Sequence, residues 1–365
     1  MKCFCTVMDQ REILPESLPF LREDMLFFDI ETTGLSSAHA QIYCIGIGYQ
    51  KEDSIRIEVR ILDRNDEEEA LIGHFVQVCA AFKTIVTFNG NRFDLPFLRA
   101  RAALYGIEDP FVPLAPLDLY KKSASFRKLL PLTHYRQKSF EAFLGIGRED
   151  LYNGGELIAV YHRYAKTHQE TDLTNLYTHN CEDVRGMFSL LSLLSYEAFM
   201  QGNFAITAYH RQKDRFHVRA ELSKAVPQTV RILRPDGNLI LRGSEAFFEL
   251  PVYKRTLRHY FPNYKDYYYL PEEGIAVHKS IGAYVPAGRR ERATRANCYA
   301  EKECFCLHAE KASALRYLQE DERDTSTWLK LPAEPSSLNP DDLRILLDSY
   351  IRSAAERTTG RQSGQ

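Results

Sequence analysis

Three consecutive segments with the pattern of β-strands limit the possible folds more than any other feature of the sequence. Residues 25–30 are an apolar run, residues 41–49 are rich in isoleucine and glycine, and residues 54–62 alternate apolar with polar side chains. Such short runs are typical of buried or half-buried strands. A helical pattern over 66–82 and a short apolar strand at 84–88 come next. Strands followed by alternating helices and strands predict an α/β fold with a mixed sheet flanked by helices.

The composition changes along the chain and predicts its division into parts. Beyond the α/β domain expected at 25–203, tyrosine-rich strand-like segments predict a smaller, mainly β region over 204–331. Proline, serine and asparagine then indicate a linker within 332–365, where Asn339 is expected to cap a short helix that precedes a disordered tail. Residues 1–24 are expected to form an N-terminal arm.

Charge, hydropathy and cysteine content exclude several classes of protein. The formal net charge of −2 excludes a strongly polybasic chain. The sequence contains no uninterrupted apolar run of about 18 residues, so no membrane span is expected. Eight cysteines without an export signal indicate a reducing cytoplasm. An acidic excess in 1–200 and a basic excess after it fit a cation site beside a polyanion-binding surface. An ordinary difference in charge between two domains is the simpler explanation.

Asp29 and Glu31 lie at the end of the first apolar run. Because side chains alternate along a strand, both carboxylates point to the same side of its end. Two close carboxylates repel each other, so one takes a proton or a cation binds between them. Oxygen ligands favour Mg²⁺ or Mn²⁺ over zinc. The alternative is a strand that simply ends in a solvated turn.

Asp94 follows the strand at 84–88 and begins a helical pattern. Strand ends at one edge of an α/β sheet are where functional sites gather, so Asp94 is expected beside Asp29 and Glu31. The alternative role of this carboxylate is to cap the helix.

A helical pattern over 172–199 carries polar residues on its apolar stripe. Asn180 and Asp183 occupy stripe positions, and His179 lies one turn before Asp183. A buried carboxylate is costly unless it is paired or bound to a metal. Metal binding by Asp183 is therefore one interpretation, and an ion pair with Arg185 or Arg99 is the other.

Three motifs occur in the order D-x-E-T-T-G, N-x3-F-D and H-N-x-x-D, beginning at Asp29, Asn89 and His179. In this order they resemble the DEDD-type 3′–5′ exonucleases of the ribonuclease-H-like fold, and more closely the bacterial YprB-type proteins. The resemblance covers about residues 22–200. His179 stands four residues before Asp183, where many DEDD enzymes have a tyrosine, and this placement resembles the YprB-type variant.

The resemblance implies a two-metal phosphodiesterase that uses Mg²⁺ or Mn²⁺. Asp29 would bridge two ions, Glu31 and Asp183 would complete the first site, and Asp94 would hold the second. His179 would take the proton of the attacking water.

The resemblance also implies a substrate pocket beside the metals. Thr32, Thr33 and Leu35 match positions that touch the terminal nucleotide in such exonucleases. Asn89 and Phe93 match the motif that shapes the floor of the pocket.

A run of basic residues without an intervening acid lies between Asp118 and Glu141. Its members are Lys121, Lys122, Arg127, Lys128, Arg136 and Lys138. With His134 and Tyr135 among them, the run suits a single-stranded backbone and a stacked base. A solvated loop is the alternative.

Cys298, Cys304, Cys306 and His308 offer zinc-binding atoms, but their spacing matches no standard pair of zinc knuckles. Buried strand cysteines are therefore expected.

The function expected from the sequence is a metal-dependent nuclease that acts on single-stranded DNA or RNA, with 3′–5′ exonuclease action. A structure-specific endonuclease and a non-catalytic nucleic-acid-binding module are the alternatives.

Overall fold

The structure is a computed structural model that describes residues 1–150, 152, 154–310, 326–333 and 338–357. The chain divides into two compact units. The first comprises residues 1–201 with 224–228, and the second comprises 202–223 with 229–365.

A six-stranded mixed sheet forms the centre of the first unit. Its strands are β1 (Lys2–Asp9), β2 (Met25–Thr32), β3 (Ile42–Lys51), β4 (Ser54–Ile61), β5 (Thr84–Thr87) and β6 (Ala115–Asp118). The strand order is β1-β4-β3-β2-β5-β6. The pairs β1–β4, β4–β3 and β3–β2 are antiparallel, whereas β5 is parallel to both of its neighbours, β2 and β6. The mixed sheet expected from the sequence is confirmed.

Strand β1 lies within the segment 1–24 that was expected to be an arm. It pairs with β4 over its whole length and forms one edge of the sheet. Most of its side chains are exposed or half-buried. The strand therefore has little of the apolar alternation from which buried strands are predicted.

Helices cover the sheet of the first unit. They are α1 (Glu68–Cys79), α2 (Asp94–Leu104), α3 (Leu119–Ser123), α4 (Gln137–Leu144), α5 (Gly154–Thr167), α6 (Glu170–Leu190) and α7 (Leu194–Met200). The single helical pattern expected over 172–199 is thus two α-helices separated by a 3-10 turn at Leu191–Leu193.

Two glycines of β3 allow α6 to lie close to the sheet. A Cβ atom at Gly46 would lie 2.9 Å from Val184 Cγ2, and one at Gly48 would lie 2.7 Å from Phe188 Cε2. Both distances are shorter than real Cβ contacts, so larger residues would push the helix outward. At this close approach the Phe188 ring stacks on Phe27 of β2, with ring centroids 3.8 Å apart.

The second unit is mainly β, as expected. Its strands are β7 (Phe204–Gln212), β8 (Arg215–Arg234), β9 (Gly237–Pro251), β10 (Tyr253–Tyr260), β11 (Tyr267–Leu270), β12 (Ile275–His278), β13 (Glu291–Arg292), β14 (Tyr299–Glu310) and β15 (Ser326–Lys330). They form three sheets in the orders β7-β8-β9, β10-β14-β15 and β12-β11-β13. Two helices, α8 (Lys279–Gly282) and α9 (Pro340–Arg357), belong to the same unit. The predicted fold class, a helix-flanked mixed sheet followed by a smaller β region, is confirmed.

The C-terminal helix α9 has 18 residues and is longer than the short helix expected there. Asn339 Oδ1 accepts a hydrogen bond from the Asp341 amide at 3.0 Å, as a helix cap does. The tail predicted at 358–365 and part of the linker, 334–337, lie outside the described residues. Across the described part of the chain, no helix is both long and apolar enough to cross a membrane.

The cysteines of β14 belong to an apolar cluster. Cys304 and Cys306 pack with Leu257 and Trp328, and Cys298 is also fully buried. Within the described residues, these cysteines are not among the groups of ligand atoms that converge closely enough for a metal ion. Cys304 and Cys306 match the buried strand cysteines that were expected, and Cys298 is buried just before β14.

Candidate active site

Carboxylates from three elements meet at one end of the central sheet. Asp29 and Glu31 lie near the end of β2, and Asp94 is the first residue of α2. The Ile30 amide donates a hydrogen bond to Asp94 Oδ1 at 3.3 Å, which fixes the start of α2 against β2. Asp94 is only 7% exposed.

Helix α6 brings the fourth carboxylate to this edge. The Asn180 side-chain amide donates to Asp29 Oδ2 at 2.9 Å. Because Asp183 lies almost one turn further along the helix, its carboxylate comes to the same side of the sheet. The close approach of α6 at the glycines of β3 makes this arrangement possible.

His179 is at the centre of the cluster. Its Nε2 lies 3.2 Å from Glu31 Oε1 and 3.1 Å from Asp183 Oδ2. Its Nδ1 lies 2.8 Å from Asp150 Oδ2. The ligand atoms of Glu31, His179 and Asp183 all lie within 4.8 Å of one another, which is close enough to hold one metal ion.

Arg148 supplies the cationic partner of Asp183. Its Nη1 lies 2.8 Å from Asp183 Oδ1 and 2.9 Å from Glu141 Oε2. The two arginines proposed as partners from the sequence pair elsewhere, Arg185 with Glu12 at 3.8 Å and Arg99 with Asp109 at 2.7 Å. The prediction that Asp183 pairs with Arg185 or Arg99 was therefore wrong.

Neither Arg148 nor Asp150 was predicted from the sequence, and neither could have been found there easily. Arg148 and Asp150 lie in the irregular segment between α4 and α5, where no periodicity shows the direction of a side chain. The side chain of Asp150 is 1% exposed and accepts from Lys138 Nζ at 2.6 Å. A buried carboxylate against His179 Nδ1 fixes the imidazole with Nε2 turned to the cluster.

Burial and mutual repulsion disturb the titration of the acids. Burial, and then the charges of Asp183 and Asp94, raise the pKa of Asp29 well above its ordinary value. Burial also raises the pKa of Glu31, and it raises that of Asp94 to about 7. The site therefore disfavours several simultaneous negative charges.

The cationic side chains act in the opposite direction on Asp183. Burial opposes ionisation, but the hydrogen bond from His179 and the charge of Arg148 lower the pKa of Asp183 overall. Burial likewise opposes protonation of His179, yet Asp183 and Glu31 outweigh it and raise its pKa to about 11. In the ion-free site His179 is therefore protonated at neutral pH.

The threonines expected to touch a terminal nucleotide are engaged in the local turn. Thr32 Oγ1 donates to the Gly34 carbonyl at 2.8 Å, and Thr33 Oγ1 accepts from the Gln41 amide at 3.0 Å. Leu35 is 88% exposed, so it is the member of this set whose side chain is most available for contact.

The second motif forms a tight turn after β5. Asn89 has a φ angle of 65°, in the left-handed region that asparagine tolerates. Its amide donates to Asp118 Oδ1 at 2.9 Å, and the amide of Asn91 donates to Asp118 Oδ2 at 3.1 Å. Phe93 precedes α2 and packs against Phe97, with ring centroids 5.3 Å apart. Asp118 therefore shapes this turn.

The basic run does not form one continuous cationic surface. Lys122 pairs with Glu197 at 3.1 Å and Lys138 pairs with Asp150 at 2.6 Å. Arg127 lies against aromatic rings, while Lys121, Lys128 and Arg136 are exposed.

The sheet order, the position of α6 and the carboxylates at the strand end are consistent with a ribonuclease-H-like fold. Comparison with known proteins agrees. Residues 26–195 match the sequence model of the family RNase_H_2, described as RNase_H superfamily. The resemblance expected from the three motifs is therefore confirmed.

Two curated proteins are similar to the chain. It is 25% identical to YprB of Bacillus subtilis over 217 residues, which is 58% of this chain and 52% of YprB. It is 26% identical to DNA polymerase 1 of Aeropyrum pernix over 148 residues, which is 35% of this chain and 14% of the polymerase. The chain thus spans about half of one relative and a small part of the other.

Among solved structures, the family B DNA polymerase from Pyrobaculum calidifontis is similar at 17% identity, with a TM-score of 0.37. The similar region covers 66% of this chain and 35% of the polymerase chain.

Proposed function

We propose that this protein is a divalent-metal-dependent nuclease and that it removes nucleotides from the 3′ end of single-stranded DNA or RNA. The observation that carries the proposal is the convergence of Asp29, Glu31, Asp94 and Asp183 around His179. Hydrolysis of a phosphodiester needs compensation of negative charge and a proton acceptor. Cations held by the four acids would supply the first, and His179 is the candidate for the second. A cytoplasmic location, expected from the cysteine content, belongs to the same proposal.

The donor set fits Mg²⁺ or Mn²⁺. All four acids offer oxygen, which these hard cations prefer, and repulsion among the acids gives the cluster a need for cations. We expect Asp29 to be shared by two ions, Glu31 and Asp183 to hold one, and Asp94 to hold the other. When bound, two such ions would activate water and stabilise charge at the phosphorus centre.

His179 is proposed to take the proton of the attacking water at Nε2. In the ion-free site Glu31 and Asp183 hold His179 protonated. Cations that neutralise these two carboxylates would remove the cause of the raised pKa and leave Nε2 able to accept a proton. Asp150 would keep Nδ1 occupied and so direct Nε2 towards the reaction.

A non-catalytic nucleic-acid-binding module is the second candidate, and one observation favours it. Arg148 and His179 already pair with Asp183, so part of the acid cluster is balanced without a metal. A structure-specific endonuclease would use the same acids, so only the position of the cuts distinguishes it from an exonuclease.

The test is cleavage of 5′-labelled single-stranded DNA and RNA in Mg²⁺, Mn²⁺ or EDTA. We compare the native protein with Asp183→Asn and with Asp53→Asn as the matched control. Asp53 is exposed in the β3–β4 turn, at the opposite end of the hairpin from Glu31. The same charge is therefore removed away from the cluster.

A ladder that shortens from the 3′ end, in the native protein and in Asp53→Asn only, supports the exonuclease. Internal cuts would favour the endonuclease. Binding without cleavage in either metal would overturn the enzyme proposal and favour the binding module.

A further inference from the structure

An open cavity of about 500 Å³ lies in the first unit beside the turn that carries Asn89. This volume is within the range of small-molecule and ligand sites. Its aromatic wall consists of Phe88, Tyr120, His134 and Tyr135.

Two residues of the cavity wall connect it to residues of the acid cluster. Gln137 lies in its wall, and Gln137 Nε2 donates to the Asp183 carbonyl at 2.7 Å. Asn89, also in the wall, lies in the turn that leads into Asp94. A chain with one phosphate at the acid cluster would therefore have a neighbouring nucleotide near this cavity.

Charge indicates what kind of ligand the cavity accepts. Arg92 and Arg136 are among its lining residues, and no acid is among them. Both arginines are exposed, and neither has a carboxylate partner in the described part of the chain. The combination of flat aromatic rings with unpaired cations suits an anionic ligand that has a planar ring.

The aromatic wall is held in place before any ligand arrives. Arg127 Cζ lies 5.1 Å from the Tyr120 ring centroid and 4.8 Å from the Tyr135 ring centroid. Phe88 packs edge-on against Tyr120 at 5.7 Å, and Tyr135 packs against Phe140 at 6.3 Å. Rings that are already fixed lose little freedom on binding, which favours stacking of a ligand.

We propose that this cavity binds a base of single-stranded nucleic acid by stacking, while Arg92 and Arg136 contact the adjoining phosphates. The inference rests on the proposed function, because it uses the same nucleic acid as ligand. It adds a binding site for a base next to the acids and makes Tyr135 a residue that recognises the strand without taking part in the chemistry.

The test uses binding rather than cleavage, so that its failure is distinct from that of the proposed function. Short single-stranded oligonucleotides carry the fluorescent base 2-aminopurine at one position at a time. They are titrated in EDTA with the Asp29→Asn variant as the reference protein. The same titration is made with two double variants, in which Asp29→Asn is combined with Tyr135→Ala or with Tyr135→Phe. Thermal unfolding of each variant checks its fold, and Arg136→Ala provides an exposed second variant.

We expect fluorescence quenching at one position of the strand, because a base stacked on an aromatic ring is quenched. Because the stacked ring is lost, Tyr135→Ala should raise Kd about tenfold and abolish the quenching. Tyr135→Phe keeps the ring and should change Kd less than about twofold. Arg136→Ala should raise Kd and reduce its dependence on salt.

An unchanged Kd and unchanged quenching in folded Tyr135→Ala would overturn the inference, as would the absence of any oligonucleotide binding. If Tyr135→Ala fails to fold, an unchanged Kd and salt dependence in Arg136→Ala would overturn it. Failure of the native protein to cleave, with Tyr135-dependent binding intact, would overturn the proposed nuclease and leave the base site standing.

Discussion

Replacement of Asp94 by asparagine should stabilise the ion-free protein. Asp94 is 7% exposed and sits among other acids, and burial raises its pKa to about 7. Its Oδ1 accepts from the Ile30 amide, and an asparagine keeps an oxygen acceptor of the same shape. Asp94→Asn therefore removes the buried charge with little change in packing.

The magnitude follows from the two pKa values of the carboxyl. Its pKa is about 7 in the folded protein and 3.8 as the ordinary value, so the folded state binds the proton more tightly. Ionisation of the buried Asp94 carboxyl therefore costs folding free energy. This cost is absent below about pH 4, grows between pH 4 and 7, and reaches its full value above pH 7. At 1.36 kcal/mol per pKa unit, the cost is about 4 kcal/mol at pH 8 and about 2 kcal/mol at pH 5.

The assay is urea unfolding in EDTA at pH 8 and pH 5, for the native protein, Asp94→Asn and Asp53→Asn. Circular dichroism follows the helices, most of which lie in the first unit, whereas the single tryptophan, Trp328, reports on the second. Asp94→Asn should gain more free energy of unfolding at pH 8 than at pH 5, and Asp53→Asn should gain almost none. A loss of stability in Asp94→Asn at pH 8, or an equal gain at both pH values, would refute the reasoning.

Three further predictions concern packing, positioning and pH. Gly46→Ala should destabilise the protein by about 1–3 kcal/mol, because the new Cβ would lie 2.9 Å from Val184 Cγ2 and push α6 away; urea unfolding measures this. Asp150→Asn should lower kcat about tenfold or more with little change in KM, because the carboxylate that orients His179 is lost. Steady-state cleavage of an oligonucleotide measures both constants, and an unchanged kcat would contradict the prediction. Affinity for Mn²⁺ should be lower at pH 6 than at pH 8, because protonation of Asp94, with a pKa of about 7, competes with the metal. Isothermal titration calorimetry at each pH measures the affinity, and an equal affinity at both would contradict the prediction.

The parts of the candidate site that could be predicted from the sequence lie on regular elements. Alternation along β2 places Asp29 and Glu31 on one side, and helical spacing places His179 beside Asp183. The end of β5 leads directly to Asp94. In each case the direction of a side chain follows from the period of its element.

The parts that could not be predicted lack such a period. Arg148 and Asp150 reach His179 and Asp183 from an irregular segment, and only the folded chain shows their direction. Strand β1 was not expected because an edge strand with exposed side chains needs no apolar pattern. It is held by backbone hydrogen bonds to β4, which the sequence does not show.

The basic run shows a related difficulty. Charge counted along the chain does not reveal which cations are already paired after folding. Lys122 and Lys138 each have a carboxylate partner, so they are poor candidates for binding phosphate. Arg92, which was not in the predicted set, lines the aromatic cavity together with Arg136.

The charge balance of the ion-free cluster separates a site that binds a divalent ion from one that needs none. Four carboxylates face two cationic side chains, His179 and Arg148, which leaves an excess of negative charge at a partly buried position. The raised pKa values of Asp29 and Asp94 mean that protons reduce this excess when no cation is bound. A divalent ion must displace those protons, so metal binding at pH 6 should release protons to the buffer. A site that Arg148 and His179 already balance would release none, and calorimetry in buffers of different ionisation enthalpy distinguishes these two cases directly.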